Sequence, residues 1–500
     1  MSYRVRVGDD YSEAFESAWG IMAGDSISPA LFIGFTYDFN PPFSMDDILL
    51  QDIHIVKLAF ADDVIFLLLT DAMNPSISEM QTRLTWSEAE YCGRRAFLEI
   101  SALKSVCCLI GAAKLPEENL TVSNGSQIID YVDEFRYTGI HFSSNIQDPF
   151  LPHYTAWAAK ARTAVHTVFS TETFVRSIPV PTGVKLYFAL VDPYLIYGCD
   201  VVIDVNEKCL RMYEATQHYY MRRLLGLQPR SPVGALHVLT SIPPIRHRHV
   251  ELELRYARYA IVQPENHYEN RAYRDAIAMY RRKQRSWITD LEKAMRKLPR
   301  HPVRLDVGLM ESEEGIDSLR EQVRISCARY LYDELESNRT PLLNPKYLPI
   351  SRDSYQSVLV LRKFLRTIRI PAHRVSVVRL LCADHTLAVE QLRRRRNPDG
   401  SRIEVECRSC RYGDANTETE VHALFRCEGP GDGILVKKRS TFMDQVFEVA
   451  GRRLVERCTE NGNDDGPIMA VHFFLEHDDL APIFGKYVYD VLKMFPISAM

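Results

Sequence analysis

The sequence predicts an α+β fold, in which a small antiparallel sheet with helices on one face precedes a mainly helical region. Two observations predict this order. Short apolar runs of the kind that form β-strands occur between residues 53 and 142. From residue 149 onward apolar residues recur at helical spacing instead, as at Trp157, Ala161, Val165 and Phe169. The hydrophobic share of 46% in 500 residues is ample for packed cores, in roughly two to four domains.

The first strand pair is predicted across residues 55–69. Two apolar runs, residues 55–60 and 64–69, flank Ala61, Asp62 and Asp63. A break of two or three residues between such runs predicts a β-hairpin. Adjacent carboxylates repel each other, and a divalent cation such as Mg²⁺ or Mn²⁺ would relieve the repulsion. The alternative interpretation is a solvated turn that contains two aspartates.

Helices are predicted on both sides of this hairpin. Upstream, Pro29 favours a helix start that Ser26 or Ser28 can cap, and Gly24 allows a close backbone approach. Downstream, apolar residues at helical spacing predict a long helix across residues 75–102. A strand across residues 106–113 and a hairpin across residues 132–142 complete the predicted sheet.

These pieces, in this order, resemble the palm of reverse transcriptases from non-LTR (LINE-like) retrotransposons. The sequence from Phe60 to Asp63 is similar to the family's aromatic-Ala-Asp-Asp hairpin. Gly24 and Asp25, followed by Ser28 and Pro29, are similar to the family's Gly-Asp-x-x-Ser-Pro loop and helix. Further along, Lys104 and Ser105 resemble the lysine motif that follows, and residues 135–140 resemble the primer-grip hairpin.

The resemblance implies an RNA-directed DNA polymerase that uses two metal ions. It assigns binding of Mg²⁺, or of Mn²⁺, to Asp62 and Asp63. It places Lys104 near the triphosphate, where the alternative is an ordinary surface lysine. It also implies a substrate site to which four residues contribute, namely Gly24, Asp25, Ser28 and Phe60.

One part of the family pattern is missing from the sequence. The resemblance implies a third catalytic carboxylate on a strand before the Gly-Asp loop, and no carboxylate stands in that context. Asp9 and Asp10 are the nearest candidates, but they belong to a predicted turn. We therefore expect an N-terminally truncated palm, without fingers or first palm motif, that is catalytically incomplete alone. An upstream fragment or a partner would have to supply the missing carboxylate.

The palm is predicted at residues 1–145, and the regions after it are predicted to be mainly helical. Residues 146–260 resemble the thumb of the same proteins, and residues 261–400 are predicted as a basic helical region. Its arginines suit an RNA template and a DNA primer or target, with Tyr273, Tyr280 and Trp287 available to stack on bases. The alternative is that these charges are solvated faces. The candidate contacts to nucleic acid are Arg281, Arg282, Arg285, Arg393, Arg394, Arg395 and Arg396.

A second motif lies in residues 401–430, ahead of a predicted helical tail at residues 431–500. Cys407, Cys410, His422 and Cys427 have the ligand types and the opening spacing of a tetrahedral Zn²⁺ site. The alternative is a chance group of free thiols near a histidine. The array resembles the cysteine-rich CCHC knuckle near the C-terminus of non-LTR retrotransposon proteins.

Composition limits the compartment and the partners. Residues 1–60 hold nine acids against three bases, a net of −6, whereas residues 271–300 hold ten bases against three acids, a net of +7. This uneven distribution of charge suits binding of a polyanion by the basic region only. Eleven scattered cysteines without a signal peptide favour an intracellular, reducing compartment, and the resemblance implies the nucleus. No apolar run approaches the roughly 18 residues of a membrane helix.

Three hypotheses follow from the sequence. The first is a truncated reverse transcriptase that binds nucleic acid without copying it. The second is a polymerase completed by a partner or an upstream fragment. The third is a non-enzymatic, zinc-dependent RNA- or DNA-binding protein.

Overall fold

The computed structural model describes residues 2–4, 6–16, 26–69, 73–96, 98–112, 114–116, 118–203, 205–336, 339–413, 416–459 and 464–496. The chain divides into two compact units, Met1–His153 and Tyr154–Met500. Among the described residues, short strands occur only in the first unit, and helices dominate the second unit. The predicted α+β class is therefore confirmed, while the palm and knuckle identities stay predictions.

The first unit combines short strands with two helices. In chain order its described elements are β1 (Ser2–Tyr3), β2 (Arg6–Val7), β3 (Asp10–Tyr11), β4 (Phe15–Glu16), α1 (Ser28–Phe35), β5 (Ile48–Leu50), β6 (Ile53–Ile55), β7 (Leu58–Phe60), β8 (Asp63–Ile65), α2 (Met73–Ser87), β9 (Val106–Cys107), β10 (Thr121–Val122), β11 (Gln127–Ile128), β12 (Asp130–Tyr131), β13 (Glu134–Tyr137) and β14 (Ile140–Ser143).

The strands pair in twos. The antiparallel pairs are β1–β4, β2–β3, β5–β6, β7–β8, β10–β11 and β13–β14, and β9 pairs with β12 in parallel. The continuous antiparallel sheet that the sequence predicts is thus absent from the described residues. The predicted strand at residues 55–60 is interrupted at Val56 and Lys57, because its first residue, Ile55, ends β6 and pairs with β5, while β7 begins at Leu58.

The predicted hairpins form, with narrower bounds. In β7–β8 the register pairs Leu58 with Ile65 and Phe60 with Asp63. In β13–β14 the two-residue turn is Thr138-Gly139, with φ values of 46° and 91°. Positive φ at both turn residues is the geometry that matches the twist of a tight hairpin. Both hairpin predictions are therefore confirmed.

The predicted helices of the first unit also form. In α1, Ile27 is the N-cap and Pro29 lies in the first turn. The helix begins at Ser28, so neither Ser26 nor Ser28 is the N-cap that the sequence suggests. A π-helical segment, Glu88–Ala96, continues α2, so the helix ends before the predicted residue 102. The core of this unit joins Ile77 and Leu84 of α2 to residues of the strands and turns behind them.

The second unit is built from helices. They are α3 (Leu151–Ser170), which begins just before the boundary, α4 (Glu172–Val175), α5 (Val180–Leu186), α6 (Asp192–Ile196), α7 (Glu207–Leu225), α8 (Val233–Thr240), α9 (Ile245–Val262), α10 (Tyr268–Arg281), α11 (Trp287–Arg296), α12 (Glu313–Leu335), α13 (Tyr355–Val358), α14 (Phe364–Thr367), α15 (Pro371–Leu381), α16 (Ala388–Gln391), α17 (Ile434–Ala450), α18 (Arg452–Thr459), α19 (Asp465–Glu476) and α20 (Leu480–Met494).

Apolar faces of these helices form the core of the second unit. The face of α3 predicted from the sequence is buried along its length, from Trp157 to Phe169. A separate cluster joins α9, α10, α11 and α12, in which Leu254, Leu291 and Leu319 are fully buried. Within the described residues, none of the helices has the length and apolar character that a membrane crossing requires.

Candidate metal centre and nucleic-acid surfaces

The tip of the β7–β8 hairpin exposes two carboxylates. Ala61 and Asp62 form its two-residue turn, and Asp63 is the first residue of β8. Ala61 has a φ of 52°, a conformation that is uncommon outside glycine. Phe60, Asp62 and Asp63 are all exposed. The two predicted metal ligands, together with Phe60 of the predicted substrate site, thus lie on one exposed tight hairpin.

A buried ion pair fixes the chain segments that lead into this hairpin. The Asp47 carboxylate accepts from the Arg83 guanidinium at 2.5 Å, and neither side chain is exposed. Arg83 of α2 also donates to the Val56 carbonyl oxygen at 3.0 Å, between β6 and β7. The Ser44 amide donates to Asp47 at 2.8 Å. Arg83 therefore anchors both sides of the β5–β6 pair to α2, and sequence patterns gave no signal for it.

The two confirmed hairpins lie close to each other. Burial raises the pKa of Tyr137 in β13, and the nearby Asp63 carboxylate raises it further. In the same hairpin the rings of Phe135 and Phe142 stack at 4.9 Å between centroids. The segment that resembles a primer grip therefore lies beside the candidate catalytic turn.

The other residues of the candidate catalytic site belong to other segments or lie outside the described chain. Gly24 and Asp25 lie outside the described residues. Ser28 begins α1, and Lys104 lies in an exposed turn where its amide donates to the Ser101 carbonyl. Across the described ranges, no cluster of three or more histidine, cysteine or acidic side chains includes Asp62 or Asp63.

The predicted zinc motif does bring three of its four side chains together. The ligand atoms of Cys410, His422 and Cys427 lie within 4.8 Å of one another, and all three residues are buried. The two sulfur atoms are 3.6 Å apart. In a tetrahedral site with Zn–S bonds of about 2.3 Å, two sulfur ligands are separated by about 3.8 Å. The observed separation fits coordination to one ion, and it is far longer than a disulfide bond of about 2.05 Å.

Backbone amides support the two sulfur atoms. The Gly429 amide donates to the Cys427 sulfur at 3.4 Å, and the Tyr412 amide donates to the Cys410 sulfur. Gly429 has a φ of +81°, which favours glycine at this turn. Burial raises the pKa of Cys410 to about 12, against the effect of the Tyr412 amide. A metal ion would therefore have to displace the proton of the Cys410 thiol.

A buried ion pair supports the segment that carries these ligands. Glu418 is fully buried and contacts the Arg411 guanidinium at 2.8 Å. It also accepts from the Ala388 amide of α16 at 2.7 Å. Arg411 extends this connection by donating to the Thr386 carbonyl oxygen at 2.7 Å. The pair lies between Cys410 and His422 in sequence and holds that loop against α16.

Cys407, the fourth residue of the motif, lies apart from the other three. It is exposed and does not belong to the group of close ligand atoms. Its amide donates to the Glu404 carbonyl oxygen at 3.2 Å, in a turn that precedes Cys410. The described structure thus supports a group of three ligands that could hold a metal ion.

The first arginine group lies at the end of α10 and in the loop after it. Arg281, Arg282 and Arg285 are exposed. Arg281 pairs with Glu311, and Arg285 lies 3.6 Å from Asp290. All three therefore present charge to solvent, although two of them have acidic neighbours.

Two aromatic residues that flank these arginines in the sequence contact the core instead. Tyr273 is buried and donates to the Met310 carbonyl oxygen at 2.8 Å. Trp287 packs against the same core and donates to the Asp200 carbonyl oxygen at 3.0 Å. The prediction that Tyr273 stacks on bases is therefore wrong, because helical spacing on α10 places its ring inside the bundle.

In the second arginine group, some side chains make local contacts and others are exposed. Arg393 pairs with Glu390 at 2.9 Å. Arg395 and Arg396 are exposed, and Arg396 donates to the Gly400 carbonyl oxygen at 2.7 Å. The side chain of Arg394 is outside the described part of the chain. The run predicted as one basic patch therefore includes residues that stabilise their own turn.

Comparisons with known proteins leave the family open. A scan against protein-family models finds no match, and searches of curated proteins and of solved structures find none either. The reverse-transcriptase assignment stays a prediction from the sequence motifs.

Proposed function

We propose that this chain is a nucleic-acid-binding protein of the non-LTR reverse-transcriptase type that does not polymerise on its own. The observation that carries the proposal is the β7–β8 hairpin, which exposes Asp62 and Asp63 on a two-residue turn beside the hairpin of Tyr137. In two-metal polymerases such a turn supplies carboxylates to the ions that activate the primer hydroxyl and stabilise the leaving group.

The carboxylates at this turn are too few for two ions. Two cations held close together need bridging carboxylates to offset their repulsion. No other potential ligand joins Asp62 and Asp63 among the described residues. In this proposal a partner or a further polypeptide segment completes the site.

Exposed apolar residues on the first unit support a contact with a partner or a further polypeptide segment. All of Ile27, Leu31, Ile33 and Phe35 are at least 46% exposed, although they flank or form α1. Apolar patches of this kind are unusual on an isolated soluble unit and often mark interfaces.

The proposed role of the metal group is structural. Cys410, His422 and Cys427 would hold one Zn²⁺, with Cys407 as the proposed fourth ligand after a local movement of its turn. The ion would join residues 410–427 into one rigid loop. Arg411 and Glu418 already hold this loop against α16.

A primer-extension assay tests the proposal. We expect the isolated chain to bind a primed RNA template but to add no nucleotides with Mg²⁺ or Mn²⁺, because the second ion lacks ligands. The Asp62→Ala variant is the control and should bind equally well. Extension by the unmodified chain that disappears in Asp62→Ala would contradict the proposal and would mean that Asp9 or Asp10 completes the site.

The metal group also favours a second candidate function, a non-enzymatic zinc-dependent RNA- or DNA-binding protein. Cys410, His422 and Cys427 are the sole cluster of three potential ligands in the described ranges. The two functions differ in which site binding requires. Affinity for RNA that survives removal of Zn²⁺ by a chelator would argue against the second function.

A further inference from the structure

A basic cavity lies on the second unit, away in sequence from both the hairpin and the metal group. It has a volume of about 460 Å³ and lies between residues 300–304 and one face of α12. Its polar lining comes from Arg300, His301 and Arg304 on the first segment, and from Gln322, Ser326 and Arg329 on the helix. None of the lining residues is acidic.

The three arginines keep donors available to a ligand. Arg300 pairs with Glu334 at 2.7 Å and Arg329 with Asp353 at 2.6 Å, but neither acid lines the cavity. Each guanidinium has five N–H donors, so one ion pair leaves most of them unused. Arg304 is exposed, and no ion pair involves it among the described residues. Arg304 therefore offers a cation without an ion pair in the described chain, and Arg300 and Arg329 add N–H donors beyond those that their acids accept.

Hydrogen bonds fix the wall of the cavity. Ser326 is buried, and its hydroxyl donates to the His301 carbonyl oxygen at 2.5 Å. The His301 ring contacts Asp333 at 2.6 Å. Arg300 has a φ of 59°, a conformation that costs energy in a non-glycine residue. The segment is thus held in one conformation by contacts to α12.

We propose that this cavity binds a phosphoryl group. Several guanidinium groups around one concave site match the oxygen acceptors of a phosphate, which can accept from more than one direction. The volume exceeds that of a single phosphate ion and leaves space for an attached nucleoside or for a length of nucleic-acid backbone. The proposal goes beyond the function proposed above, because it uses neither Asp62 and Asp63 nor the metal group.

Isothermal titration of the full chain with two probes tests the site and separates the two sources of phosphate. The first probe is uridine monophosphate and the second is a single-stranded oligouridylate. We expect Arg304→Gln and Arg329→Gln to weaken binding about tenfold each, because each removes a charged donor. Arg329→Gln leaves Asp353 solvated, since that acid is 59% exposed. The matched control is Arg211→Gln, at an arginine of α7 that is 74% exposed and does not line the cavity.

The outcomes are distinct. If the two cavity variants lose affinity for the monophosphate, the result supports a free phosphorylated ligand. If they lose affinity for the oligouridylate alone, the result supports a backbone phosphate. If neither probe binds, or if both cavity variants bind as tightly as Arg211→Gln, the proposal is overturned. Neither probe is extended by a polymerase, so the result is independent of the primer-extension assay.

Discussion

Replacing Cys410 or Cys427 by serine is expected to abolish Zn²⁺ binding and to lower the free energy of unfolding of the second unit. The loss should be about 3–5 kcal/mol, because a structural metal contributes its binding energy to folding. Both sulfur atoms are buried and 3.6 Å apart, so a serine would remove a ligand and leave a buried hydroxyl in its place. His422→Ala should have a similar effect, since it removes the third member of the group.

Metal content per chain and urea unfolding measure this effect. Cys382→Ser is the matched control, because Cys382 is also a fully buried thiol but lies outside the group. It should lose some stability while keeping its zinc. Retention of one Zn²⁺ per chain by Cys410→Ser would show that the group does not hold the ion. Zn²⁺ affinity should also fall as pH falls, because protons compete for the thiolates and the imidazole.

The second large effect is expected when the buried ion pair in the first unit is broken. Arg83→Met should destabilise the first unit by about 3–5 kcal/mol, because it leaves the Asp47 carboxylate buried without its cation. It also removes the donor to the Val56 carbonyl oxygen at the base of the β7–β8 hairpin. We expect the hairpin to lose its fixed position before the helices of the second unit change.

Hydrogen–deuterium exchange of peptides covering residues 44–69 measures this local loss. Exchange should accelerate in Arg83→Met and recover in part when Asp47→Leu is added, because apolar replacement of both partners removes the unpaired charge. Peptides from α9 and α12 serve as the internal control. Unchanged exchange across residues 44–69 in the single variant would mean that the pair does not anchor the hairpin.

Features set by local chemistry were predictable from the sequence. The β7–β8 hairpin follows from two apolar runs around a short polar break, and the turn of the second hairpin contains Gly139, which tolerates positive φ. The grouping of Cys410, His422 and Cys427 follows from ligand types at close spacing. In each case the residues that decide the structure are near each other in the chain.

Features set by distant contacts were not predictable. Asp47 and Arg83 pair across 36 positions, and neither lies in a motif. The pairing of β6 with β5 competes with the longer strand that the apolar run predicts. The burial of Tyr273 depends on which face of α10 meets its neighbouring helices. The exposed position of Cys407 likewise depends on its turn rather than on the spacing of the motif.

The affinity of the chain for a primed RNA template at two salt concentrations is the most direct measure of whether it binds nucleic acid. We expect binding at low salt that weakens steeply as salt increases, because arginines that neutralise phosphates release counterions. Changing Arg281, Arg282 and Arg285 together to glutamine should reduce the salt dependence by about one counterion for each phosphate that is no longer neutralised, whereas Arg211→Gln should not. No binding at low salt, or an affinity that salt does not change, would show that these arginines do not bind nucleic-acid phosphates.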